Sequence, residues 1–159
     1  MHTKLAVTVA ALGVAAAIGT GMASAGHTAA AERVAIISPH GNSGLFVLKP
    51  LTPGPIARYA GTATACCWTQ RFIRRDGQSI EINNPLRTFT GKHGTFTWRA
   101  QIGWVDVDSG YSIGTGTWAI VRGTGAYAHL EGHGRIAIIT TTNGQAVADR
   151  AEGLLDLRR

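Results

Sequence analysis

The chain has 159 residues, 15 lysines and arginines against 9 aspartates and glutamates, and 45% hydrophobic residues, a balance that supports one domain with its own core. Its modest basic surplus, with no long basic stripe interleaved by aromatics, excludes nucleic acid as the natural partner. Its only cysteines, Cys66 and Cys67, are adjacent, which excludes a disulfide framework as the source of stability.

Lys4, the apolar run Leu5 to Ile18 and the small residues Ala23-Ser24-Ala25 form the pattern of a signal peptide over residues 1–25. Gly19, Thr20 and Gly21 interrupt the run before it reaches the roughly 20 apolar residues that a membrane span needs. The expectation is therefore a secreted, extracellular protein with no membrane association after cleavage. Removal of residues 1–25 leaves 134 residues carrying 14 basic and 9 acidic side chains. That surplus is read as serving solubility, ahead of attraction to anionic wall polymers or lipid headgroups. Residues 26–33 are small and polar and are expected to form a loose N-terminus. A single domain over 34–159 follows.

Val34 to Ser38 and Leu45 to Leu48 are predicted as short strands around turn chemistry at Pro39 to Gly44. Pro50, Pro53 and Pro55 deny donors to a ladder, so Lys49 to Ile56 is expected to cross the surface as a loop. Tyr59 to Arg75 suits one bent strand, or two joined by a bulge near Cys66-Cys67. Asp76-Gly77 then closes a hairpin onto Gln78 to Ile82. Neighbouring Cα atoms lie ~3.8 Å apart, short of the ~4.4–6.8 Å that a relaxed disulfide spans. A bridge between the two cysteines is thus expected to be strained, and alternation would send one into the core and the other outward or toward another chain. Arg71, Arg74 and Arg75 form the densest basic cluster.

Asn83-Asn84-Pro85 stops the hairpin, and Leu86 to Thr90 adds a strand. Thr95 to Val105 follows with a strict period of two: Phe96, Trp98, Ala100, Ile102 and Trp104 on one face, Arg99 and Gln101 on the other. Tyr111 to Arg122 is the next strand, with Gly114 and Gly116 on the parity of Trp118, where glycine lets a neighbouring strand curve or a large ring lie across it. A Gly-Thr-Gly corner capped by Tyr127 and Leu130 leads to a strand at Gly134 to Thr142, and Asn143-Gly144 turns the chain into Gln145 to Leu157. Seven to nine strands at regular spacing point to a barrel or a sandwich.

The corner Gly123-Thr124-Gly125-Ala126-Tyr127-Ala128, followed by Leu130, Gly132 and Gly134, resembles an element of the allene oxide cyclase-like and dirigent-like barrels, and is most similar to small secreted actinobacterial members. The likeness covers about twenty residues, and the strand Gly94 to Val105 also fits. It implies an all-β, antiparallel eight-stranded barrel with a central apolar cavity, a possible homotrimer, and a structural role for Gly123, Gly125, Gly132 and Gly134. The acidic residues that those families use in their cavities have no local match here. Catalytic residues are therefore left unassigned.

Several motifs reduce to turns and strands. His129 and His133 have a zinc-like spacing that requires a helix, which Gly132 and Gly134 oppose, so no metal is assigned. Three glycine-rich repeats imitate dinucleotide fingerprints without the helix that would meet a pyrophosphate, so no cofactor is assigned. Asp106 and Asp108 are explained by their turn.

The aromatics Trp68, Trp98, Trp104, Trp118, Tyr111 and Tyr127 are the candidates to line a cavity, with Arg99 positioned to read an acid group should the polar face prove to be the interior. The leading expectation is a secreted barrel binding a small hydrophobic molecule. The alternative is a cofactor-free cyclase or isomerase, and a weaker one is a wall-associated structural or inhibitory protein. A buried carboxyl or tyrosine hydroxyl beside interior space would favour the enzyme, an apolar lining the carrier, and a filled barrel the structural role.

Overall fold

The computed structural model describes residues 31–38, 44–107 and 110–158, so the expected signal peptide and residues 26–30 of the expected loose N-terminus lie outside the described residues. The described residues form ten strands: β1 (Glu32–Ser38), β2 (Leu45–Pro50), β3 (Tyr59–Cys66), β4 (Gln70–Arg75), β5 (Gln78–Asn83), β6 (Leu86–Gly91), β7 (Gly94–Val107), β8 (Tyr111–Gly123), β9 (Leu130–Thr141) and β10 (Ala146–Leu157). A single 3₁₀ turn, Gly125–Tyr127, sits between β8 and β9. All pairings are antiparallel, in the order β7-β6-β3-β2-β1-β10-β9-β8, and β8 returns to β7. Eight strands thus close into a barrel, and closure leaves none of them with a free edge over its paired length.

Strands β4 and β5 are a hairpin added to this ring. The first half of β7 pairs with β6, from Gly94 to Arg99, and its second half meets β5 only at Ile102, Gly103 and Trp104. The handover falls where Asn84-Pro85 interrupts the chain, since proline supplies no ladder donor. The β5 pairing stops at Trp104, so the rest of the hairpin leaves β7 behind.

The period of two places Phe96, Trp98, Ala100 and Ile102 in the buried interior and leaves Arg99 and Gln101 exposed outside. Inside, aromatic rings touch in sequence from one end toward the other. Tyr127 meets Tyr59 at 5.2 Å and Phe96 at 5.7 Å, Phe96 stacks on Phe89 at 4.7 Å, Phe89 meets Trp98 at 4.5 Å, and Trp98 meets Trp118 at 5.0 Å. Phe46, Phe89, Phe96, Trp98, Leu48 and Val34 are each at most 1% exposed, so no water-sized void touches them. The expected cavity at the centre of the barrel is therefore replaced by packed rings.

One end of the barrel is sealed, and we call it the closed end. There the loop after β2 folds inward, with Ile56 buried and its N–H donating to Glu32 Oε1 at 2.9 Å. This corrects the expected loose segment 26–33, because Glu32 and Arg33 already belong to β1 and Glu32 is buried. The Gly-Thr-Gly corner closes the same end. Gly125 has φ +59°, a backbone shape that suits glycine, and the adjacent Ala126 N–H donates to His93 O at 2.9 Å. The corner is shorter than expected: β9 begins at Leu130, so Gly132 and Gly134 are strand residues. Both are needed for close packing, since a Cβ at Gly132 would run into the Leu154 carbonyl and the Leu155 side chain, and one at Gly134 would lie 2.7 Å from the Trp118 ring.

The cysteines also differ from expectation. Cys66 and Cys67 are joined by a vicinal disulfide with Cα atoms 3.7 Å apart, and both are exposed, so neither is a core residue. The link sits at the break between β3 and β4, where Cys67 takes φ 56° and the extended alternation that predicted one buried cysteine is lost.

Candidate functional site

The opposite end of the barrel, where β1 stops and β2 starts, has a different interior. Inward positions there form one row in register: Ser38 on β1, Asp149 on β10, Ile138 on β9, Gly114 on β8, Trp104 on β7 and Glu81 on β5. Polar groups enter this row because it lies beyond the aromatic packing. Arg87 on β6 reaches into the lumen, where Nη1 makes an ion pair with Asp149 Oδ2 and Nη2 donates to Ser38 Oγ at 2.8 Å. The arginine and aspartate side chains keep only 12% and 5% exposure.

Strands β6 and β10 stand four places apart in a ring of eight, on opposite walls. The ion pair is therefore a crossbar spanning the lumen. The guanidinium carbon also lies 5.5 Å from the centroid of the Phe89 ring, on top of the aromatic stack. Such a contact adds a cation–π term to the pairing.

Trp104 lies flat over Gly114, where a Cβ would come within 2.8 Å of the indole. This fulfils the expectation that glycine on this strand accommodates a large ring. The buried Trp104 Nε1 finds no hydrogen-bond partner among the described residues, and neither does Asn83 Oδ1. Asn83 Nδ2 donates to Glu81 Oε1 at 3.3 Å. One unpaired donor and one unpaired acceptor thus sit at the same end of the barrel as the crossbar. An unpaired buried polar atom costs free energy that a bound partner can return.

Of the residues singled out from the sequence, Trp98, Trp118 and Tyr127 lie inside but within the packed portion, and Trp104 lies inside at the polar end. Trp118 Nε1 is already satisfied by Arg135 O at 3.1 Å. Trp68, Tyr111 and Arg99 are exposed on the outside, so none of the three lines the interior. The arginine that does reach the interior is Arg87. Sequence reasoning missed Arg87, Asp149 and Ser38, although parity carries the signal: Arg87 stands two residues before Phe89, and Asp149 two before Ala151.

Two tyrosines at the closed end have perturbed hydroxyls. Burial raises the pKa of Tyr59, whose hydroxyl donates to Gly94 O at 2.8 Å. Burial, reinforced by the neighbouring Tyr59, pushes Tyr127 up to about 12. Both are neutral at physiological pH and serve packing there. Among the described residues no three histidines, cysteines, aspartates or glutamates gather as a metal site.

No protein-family model matches the chain, and searches of curated proteins and of solved structures find no match either.

Proposed function

We propose that this protein is a secreted carrier related to the allene oxide cyclase-like and dirigent-like barrels, and that it binds a small, largely hydrophobic molecule at the Arg87 end of its lumen. The observation that carries the proposal is the crossbar. A buried arginine–aspartate pair between opposite walls is expensive to desolvate and is weak as a source of stability. Its presence in a barrel otherwise filled by rings is accounted for when the guanidinium also serves a ligand. The ligand in this reading is apolar where it meets Ile138 and the Trp104 ring. It carries a polar group for Arg87 and hydrogen-bonding atoms for Trp104 Nε1 and Asn83 Oδ1.

The cyclase or isomerase alternative draws on Asp149, a buried carboxyl of the kind such chemistry needs. That carboxylate is held by Arg87, which favours binding over proton transfer. The packed rings at the centre support the structural alternative.

The test is native mass spectrometry of protein recovered from its own culture medium. A retained small molecule is expected in the wild-type chain and lost in the paired Arg87→Met/Asp149→Leu variant, which removes both charges together and leaves no unpaired charge, only the Ser38 hydroxyl without its arginine partner. An empty wild-type protein, or a ligand retained equally by the paired variant, would count against this site.

A further inference from the structure

We propose that the β4–β5 hairpin, with Trp68 at its base, is a docking element for an anionic lipid surface. Every residue of β4 is exposed, including Arg71, Arg74 and Arg75, and the strand has no second pairing partner among the described residues. Phe72 is 66% exposed, Trp68 60% and Ile73 38%, a concentration of large apolar side chains in water within six residues. A six-residue strand is about 20 Å long, and the hairpin leaves β7 beyond Trp104, so its outer part projects from the barrel.

The β4 strand is open to water on both faces of this ribbon, whereas β5 sets Glu81 across from Phe72 on one face and Ile80 and Ile82 across from Ile73 and Arg71 on the other. Cross-strand register puts Gln70, Phe72 and Arg74 on one face and Arg71, Ile73 and Arg75 on the other, each face joining an apolar side chain to guanidinium. A folded partner, or a second copy of this chain, would cover one face. A layer of lipid headgroups surrounds a projecting ribbon on both. Guanidinium forks bind phosphate in two-point fashion, and aromatic side chains favour the depth of the headgroups. A phosphate-bearing wall polymer would satisfy the arginines and leave Phe72 and Ile73 in water. Two carboxylates stand against three arginines on this hairpin: Asp76 sits at the tip 3.8 Å from Arg75, and Glu81, opposite Phe72, accepts a hydrogen bond from Asn83 Nδ2. The proposal is independent of the Arg87 site, which lies inside the lumen.

The test uses protein lacking residues 1–25, which keeps all ten of the described strands, with vesicles of equal parts phosphatidylglycerol and phosphatidylcholine or of phosphatidylcholine alone. Cosedimentation is expected with the anionic vesicles only, weakening as salt rises. A blue shift in tryptophan emission should accompany it and vanish in Trp68→Phe, since Trp98 and Trp118 are buried and Trp104 is half-buried inside the barrel. Arg71→Gln/Arg74→Gln is expected to lower partitioning about 25-fold, at about fivefold per arginine. Phe72→Ser/Ile73→Ser should lower it as well, with far-ultraviolet circular dichroism unchanged in both variants. Absence of binding to anionic vesicles, or binding by these variants equal to wild type, overturns the proposal. Self-association abolished by Phe72→Ser/Ile73→Ser, without vesicle binding, overturns it in favour of a second copy.

Discussion

Arg87 and Asp149 leave water together, and the energetic consequence of removing either one is unlike that of removing both. Asp149→Ala would strand the guanidinium among Phe89, Trp98 and Ser38, at a cost of about 3–5 kcal/mol. Arg87→Met/Asp149→Leu should recover most of that loss, and urea unfolding followed by tryptophan fluorescence measures both. Tyr127 gives a pH dependence whose sign is fixed by its raised pKa. The unfolded chain releases the phenolic proton near 10, whereas the folded chain holds it to about 12. The contribution is therefore fully present below pH 10 and lost as pH rises from 10 to about 12. It amounts to no more than roughly 2 kcal/mol once solvent screening at the barrel end is discounted. Tyr127→Phe should flatten that alkaline fall, as read by thermal melts across the same range. At Gly153 a Cβ would sit 2.6 Å from the Trp118 indole as well as against backbone. Gly153→Ala is expected to cost about 1–3 kcal/mol through forced displacement of that ring.

Strands were legible wherever their two faces differed in polarity. The alternation from Phe96 to Trp104 located β7, Asp76-Gly77 and Asn143-Gly144 located two hairpins, and the prolines after Pro50 located the loop that seals the closed end. Less legible was the start of β9, because Gly132 and Gly134 resemble corner residues until their neighbours are known, Leu154 and Leu155 for the first and the Trp118 ring for the second. The candidate site was legible only in part. Trp104 could be read from alternation alone, but Arg87 and Asp149 lie 62 residues apart and meet only because barrel closure sets their strands on facing walls. The exterior placement of Trp68 and Arg99 follows from the break between β3 and β4 at Cys67 and from the outward parity of β7. The vicinal disulfide encloses no intervening residue, so it removes almost no freedom from the unfolded chain. Cys66→Ser/Cys67→Ser is accordingly expected to shift the melting temperature by no more than about 2 °C, within the range that 1 kcal/mol or less produces in a domain of this size. Amide exchange should be fast along the free side of β4 and slow through β8 and β9, which are paired on both sides.

As a whole, the molecule is a ring whose lumen is divided into a sealed aromatic half and a polar half by one charged pair. Closure depends on β1 and β10 lying side by side, with Glu32 opposite Leu155 in the ladder. The first and last strands therefore end next to each other at the sealed rim, while the β9–β10 turn at Gly144 lies at the other rim and a Cβ there would meet nothing within 4 Å. Such an arrangement makes the order of the gene's segments largely arbitrary with respect to the fold. Fusing residue 158 to residue 31 through a short glycine-serine tether and opening the backbone between Asn143 and Gly144 should give a circular permutant with the same eight-strand ring.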